Sequence, residues 1–190
     1  MIRAAVFVDY EDCLRRAHEA FRVPEEVTAS DGIDPLRLAS RLISASGGRS
    51  LTELRVYRAV PDARSDVLAF GRTLSEIERW RAAGATVVRR PEGDPREPEE
   101  PGRKGLIVLL AVDLVVLAIR DRYDVAILCS SDPDVLPAVS AVLNNTWKTV
   151  EFAEWRVEVG PSPRLGVKGE TVRSLWLDRS VYRDVRVVEG

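Results

Sequence analysis

The run Val125-Ala126-Ile127-Leu128-Cys129, stopped by Ser130-Ser131-Asp132-Pro133-Asp134, constrains the fold of this chain more than any other stretch. An apolar run with no polar alternation reads as a strand buried on both faces, as in a parallel sheet covered by helices on both sides. Pro133 suits the first turn of a helix, where its missing N–H costs nothing. Asp132 then stands as the N-cap, and Val135–Val139 continues the helix. Two carboxylates, Asp132 and Asp134, therefore fall at the C-terminal end of a buried strand, on the rim where open α/β sheets bind ligands. Helix capping accounts equally well for Asp132 taken alone.

The same arrangement recurs along the chain. Residues 3–9 read as a first strand, with Val6-Phe7-Val8 buried and Asp9 at its end. Tyr10-Glu11-Asp12 leads into a helix that runs to about Phe21. A polar loop over 24–32 precedes a helix over 33–47, started by Asp34-Pro35 and stopped by Gly47-Gly48. Leu51–Val60 is the second strand, 66–83 a helix ended by Gly84, and Ala85–Val88 the third strand. Residues 91–103 are rich in proline, glycine and charge and read as a loop with no core-forming residues. Residues 105–119, GLIVLLAVDLVVLAI, read as a helix apolar all round and hence buried in a core. A fifth strand over 148–152 follows the helix that ends near Asn144-Asn145. Residues 155–170 are irregular, 174–177 form a short edge strand, and 179–190 form a charged tail. Strands alternating with helices predict a mostly parallel sheet with helices on both faces. Residues 1–153 make the domain, with 154–190 as an extension packed on it.

Composition narrows the function by exclusion. Net charge is -2, so no bulk positive charge marks the chain for nucleic acid. No uninterrupted apolar stretch is long enough to span a bilayer, since Asp113 divides the longest. The N-terminus reads as a strand and not as a signal peptide, so a cytoplasmic protein without membrane attachment is expected. Cys13 and Cys129 read as buried free thiols, with no disulfide framework or zinc site. The single histidine, His18, reads as a surface helix position, which leaves no His-based triad.

The carboxylates carry the chemistry. Right-handed crossovers put every strand-to-helix turn on one rim. Asp9, Asp132 and Asp134 meet there, and Asp113 is expected to reach it from its helix. Asp113 is mid-helix, so capping does not explain it; either it pairs with an arginine or an exposed edge, or it points at a shared cation. Clustered like charges repel unless a divalent cation neutralises them. Oxygen-only ligands select hard ions, Mg²⁺ or Mn²⁺. Such sites serve phosphodiester hydrolysis. Arg89, Arg90 and Lys104 flank the 91–103 loop, where they are placed to meet phosphates; a solvated, partly acidic loop fits that segment as well.

VFVDYED (6–12), KGLIVLLAVDLVVLA (104–118) and YDVAILCSSDPDVLPAV (123–139) resemble the motifs of the NYN domain family, relatives of the PIN-domain ribonucleases. The resemblance covers roughly residues 3–153. It implies a PIN-like three-layer α/β/α sandwich and hydrolysis of RNA by a metal-dependent ribonuclease. It also implies an acidic cluster of Asp9, Asp113, Asp132 and Asp134, with Asp9, Asp113 and Asp132 on Mg²⁺ or Mn²⁺. Asp12, Ser130 and Ser131 join Arg89, Arg90 and Lys104 as the expected substrate contacts. Three departures stand out. Asp12 replaces a usual asparagine, Ser131 a usual glycine, and Ile107 an expected acid. Loss of that acid leaves a second reading open, a catalytically degenerate module that binds RNA or a protein partner; a second copy of the chain is a further candidate partner. Trp147, Trp155 and Trp176 either stack on bases or pack the C-terminal extension.

Overall fold

The computed structural model of the chain describes residues 1–21, 32–91, 103–157, 165–167 and 169–187, with residues 91, 103 and 104 described by their backbone only. The elements are β1 (Ile2–Asp9), α1 (Tyr10–Phe21), β2 (Gly32–Ile33), α2 (Pro35–Ser46), β3 (Arg49–Val60), α3 (Val67–Ala82) and β4 (Thr86–Pro91). They continue with α4 (Arg103–Ile119), β5 (Val125–Cys129), a 3₁₀ turn (Pro133–Val135), α5 (Leu136–Asn145), β6 (Thr149–Trp155), β7 (Arg173–Leu177), α6 (Arg179–Val185) and β8 (Arg186–Val187).

The main sheet has the order β4-β3-β1-β5-β6-β7, and every neighbouring pair is parallel. β1 and β5 lie at its centre. Val6, Phe7, Ile127 and Leu128 are completely buried, as strands covered on both faces require. One face of the sheet carries α1, α2, α3 and α6 over a core that includes Trp80, Trp155 and Tyr182. The other carries α4 and α5 over Phe7, Tyr57, Leu110, Leu114 and Phe152. This is the expected three-layer α/β/α sandwich.

The helix starts follow their sequence signals. Asp34 caps α2 by accepting from the backbone N–H groups of Leu36 and Arg37, with Pro35 in the first turn. Asp66 caps α3 through Ala69 N–H. Gly84, at φ 97°, ends α3 in a left-handed conformation that costs glycine little.

Three expectations need correction. The segment expected as a charged tail from Arg179 holds a helix and a strand: Asp178 caps α6 through Ser180 and Val181, and β8 pairs antiparallel with β2. The strand expected over 148–152 extends to Trp155. Helix α4 is not buried all round, because Val108, Leu109, Val112 and Ile119 are exposed on its outer side. The loops expected over 24–32 and 91–103 lie almost wholly outside the described residues. No described helix is long and apolar enough to cross a membrane.

Candidate metal and RNA site

Val8 of β1 pairs with Cys129 of β5, so Asp9 and Ser130 leave adjacent strands at the same level. From there the chain turns opposite ways. β1 feeds α1 on one face, while β5 feeds α5 on the other. This is the topological switch point of the sheet, where a crevice opens between the two helix mouths.

A short hydrogen-bond chain spans that crevice. The Asp132 backbone N–H donates to Ser130 Oγ at 3.2 Å, and the Ser130 hydroxyl donates to Asp9 Oδ2 at 3.2 Å. Asp9 is buried and also accepts from the Asp12 backbone N–H at 3.4 Å. Asp132 caps the 3₁₀ turn, with Oδ1 accepting from Asp134 N–H at 2.9 Å. The cap reading of Asp132 and its place on the rim therefore both hold. Asp134 is exposed in the same turn.

Asp12 closes the crevice from the α1 side. Its Oδ2 accepts from the Ser131 backbone N–H at 2.6 Å and from the Ser131 hydroxyl at 2.8 Å. Arg15 pairs with Oδ1. Burial raises the Asp12 pKa, but the Ser131 bonds and Arg15 outweigh it and hold the carboxyl below the usual range. Arg16, one helical turn beyond Asp12, donates from Nε to Ser131 Oγ at 2.8 Å. Arg16 and Asp12 also line a cavity of about 80 Å³ with Ser131, Glu154, Trp155 and Leu165.

Residues 3–158 match the family model described as NYN domain. The chain belongs to the NYN family. No curated protein matches it. Among solved structures it resembles a protein of unknown function from Vibrio parahaemolyticus, at 20% identity over 80% of each chain with a TM-score of 0.56. At that identity the likeness speaks to the fold alone.

The NYN sheet does not bring all the expected acids together. Asp113 lies midway along α4 with its carboxylate turned to β3. Its Oδ2 accepts from Arg55 Nη1 at 2.8 Å and from the Tyr57 hydroxyl at 2.7 Å. Burial, and then Asp113 itself, push the Tyr57 pKa well up, so that hydroxyl stays protonated and donating. Ile107 is buried near the start of α4 and lines the same groove as Asp134. Among the described residues, no three His, Cys, Asp or Glu side chains come together in a way that could hold a metal ion.

The basic residues divide by face. Thr86, Val88 and Arg90 alternate toward α4, with Val88 in the core beneath it. Arg90 crosses Gly105, where a Cβ would stand 1.3 Å from Arg90 Nη1 and 2.5 Å from its Cζ. The Lys104-Gly105 pair thus has a physical use, since only a glycine there lets the guanidinium lie against the first turn of α4. Arg89 is exposed on the other side of the strand. The side chain of Lys104 lies outside the described residues.

Other sequence signals resolve as packing. Glu11 pairs with Arg58 at 2.5 Å, and Arg58 stacks over the Tyr10 ring at 4.2 Å. Burial raises the Glu11 pKa despite Arg58. Cys13 and Cys129 are buried free thiols, and burial pushes Cys13 up to about 12. Trp155 donates to the Cys13 carbonyl at 3.0 Å and packs edge-on against Phe21 and Tyr182. Trp176 lies beneath Arg156, and Trp147 is fully exposed just before β6, at the end of the sheet away from the crevice. His18 is half-buried, with its ring edge-on to Tyr182. Arg16 is the site residue that the motifs did not flag; its i+4 spacing from Asp12 is the signal that finds it.

Proposed function

We propose that this NYN chain hydrolyses RNA phosphodiester bonds with Mg²⁺ or Mn²⁺ held at the Asp9–Asp132 crevice. The observation that carries the reading is the bond chain from Asp132 N–H through Ser130 to Asp9, which ties the Asp9 carboxylate to the backbone of Asp132 at the mouths of neighbouring strands. The donors are all oxygen, and Mg²⁺ is commonly held by one or two carboxylates with water and substrate phosphate completing its octahedron. Two carboxylates and a serine hydroxyl fit that habit. A bound cation would supply a water of lowered pKa and neutralise charge on the leaving oxygen.

The chain's own groups have separate tasks in this reading. Asp9 and Asp132 hold the cation, and Ser130 sets their spacing. Asp134, exposed beside them, orders water at the helix mouth. Asp12 locks Ser131 so that the two turns do not drift apart. Arg16 offers a guanidinium at the crevice. Arg90, two strands away and so roughly 10 Å across the sheet, extends the track for the phosphate backbone, and Arg89 offers a second guanidinium on the other side of the same strand. Asp113 supports this frame through Arg55 and Tyr57.

Two observations favour a second reading, a non-catalytic module that binds RNA or a protein. Ile107 stands where an acid is expected, and Asp113 is engaged with Arg55. The two readings separate in one assay, cleavage of end-labelled single-stranded RNA with Mg²⁺, Mn²⁺ or EDTA, beside Asp132→Asn. Hydrolysis that needs the metal and drops at least 100-fold in the variant supports the nuclease. RNA retained without cleavage in any metal supports the binding module.

A further inference from the structure

We infer that the outer face of α4 and α5 is the interface of a homodimer, with a second copy of this chain seated on it. The inference does not rest on the nuclease reading. Val108 is 59% exposed, Val112 51% and Ile119 71%. With Val115 they form a stripe at intervals of four, three and four residues, the spacing at which two helices interlock side chains. Pro137 and Ala138 of α5 flank the stripe, and an open, largely apolar groove of about 570 Å³ runs between the two helices. Soluble monomers rarely leave a contiguous apolar surface of this kind uncovered.

Charge selects the occupant. From Gly105 to Ile119 the one ionisable residue is Asp113, and it turns inward to Arg55 and Tyr57. The outer face of that stretch therefore carries no charge. In a twofold pair residue i meets residue j of the partner and only residues on the axis meet themselves; a stripe without charge faces its counterpart with no like-charge repulsion in any register. The same emptiness offers no handle to RNA or to a charged peptide. A stripe at this spacing needs a matching stripe on its partner, and α4 of a second copy carries one.

The size is sufficient. Helix α4 is about 25 Å long at 1.5 Å per residue, and α5 packed beside it widens the face to about 20 Å. That is a footprint of roughly 500 Å² on each copy, about 1,000 Å² for the pair, which meets the lower bound for a specific interface. The groove reaches Asp134, so pairing brings the second copy up to the edge of the acidic turn.

Sedimentation velocity of the full chain tests this. One chain is 21.1 kDa, so a pair is 2 × 21.1 = 42.2 kDa. At about 100 µM, two decades above a micromolar dissociation constant, the natural protein is expected to sediment as the pair. Val112→Glu and Val108→Glu, both at exposed positions, are expected to sediment as single chains with unchanged melting. Val112→Cys adds an accessible thiol to a chain whose described cysteines are buried, and oxidation is expected to yield a covalent dimer even if the glutamate variants fail to fold. A single chain at about 100 µM, a dimer indifferent to both glutamates and to the cysteine, or a monomer that floats with phosphatidylcholine vesicles would each overturn the proposal.

Discussion

Asp12 accepts a hydrogen bond of 2.6 Å from the backbone N–H of Ser131 and a second from its hydroxyl. These bonds tie the turn after β1 to the turn after β5, across the one place in the sheet where crossovers diverge. Asp12 is thus a clamp between the two turns.

Replacing Asp12 with asparagine leaves one acceptor oxygen and takes from Arg15 one of its two carboxylate partners, with Glu19 remaining. Hydrogen bonds to charged groups contribute about 1.5–3 kcal/mol each, and a loss of about 1–3 kcal/mol is expected by chemical denaturation. The pH dependence has a definite sign. The Asp12 pKa is depressed in the fold, so its contribution is present above the ordinary value of 3.8 and lost as pH falls through the folded value. Glu11 is shifted upward and works in the opposite sense, but it is common to both proteins and cancels in the difference. Melting of the two proteins should therefore converge below about pH 4 and separate toward pH 7. A gap that is constant over this range would show that Asp12 makes no charge-dependent bond.

Asp113→Asn should weaken the fold without touching the chemistry. The carboxylate is held by Arg55 and Tyr57 of β3; Tyr57 stands level with Asp9, one strand over from the crevice, so the carboxylate's charge is engaged by those two partners. The expected loss is about 1–3 kcal/mol, and a double-mutant cycle with Arg55→Met should recover part of it. RNA cleavage should stay within about threefold of the natural rate, well under 1 kcal/mol of barrier. A drop as deep as that of Asp132→Asn would place Asp113 on the metal.

Gly105→Ala separates stability from binding. A Cβ there collides with the Arg90 guanidinium, the far end of a flexible side chain, so the side chain swings aside. Alanine in place of helical glycine is itself worth up to about 1 kcal/mol. Melting should hold or rise, while affinity for single-stranded RNA falls. Filter binding in EDTA reads this directly, and unchanged affinity would remove Arg90 from the RNA track.

Ile107→Asp tests what the missing acid costs. The position is buried, so about 2–4 kcal/mol of stability should be lost. It lines the same groove as Asp134, beside the acidic turn, and a third carboxylate there should tighten Mn²⁺ binding. Calorimetric titration of the variant against the natural protein measures it; equal affinity would mean that position 107 does not face the cation.

Much of this was legible in the chain. The buried run before Ser130 and the Asp-Pro starts at Asp34 and Asp132 place β5 and two helix mouths correctly, because burial on both faces and proline geometry act locally. The rim positions of Asp9 and Asp132 follow from strand alternation alone. Asp113 was legible only as a choice, since whether a mid-helix acid meets a cation or an arginine depends on Arg55, 58 residues away. The outer face of α4 misled, because an all-round apolar helix normally signals burial within one chain. Strand β8 and its pairing with β2 were invisible, since a two-residue strand carries no period. The Asp12–Ser131 clamp joins residues 119 apart, beyond the reach of any local pattern.

The central claim is that Asp9 and Asp132 hold one divalent cation between β1 and β5. Mn²⁺ binding by electron paramagnetic resonance tests it most directly, with the natural protein beside Asp9→Asn and Asp132→Asn. The account predicts one bound Mn²⁺ per chain, displaced by Mg²⁺, and lost at least tenfold in affinity in either variant. Free Mn²⁺ at every protein concentration, or binding that both variants retain, would contradict it.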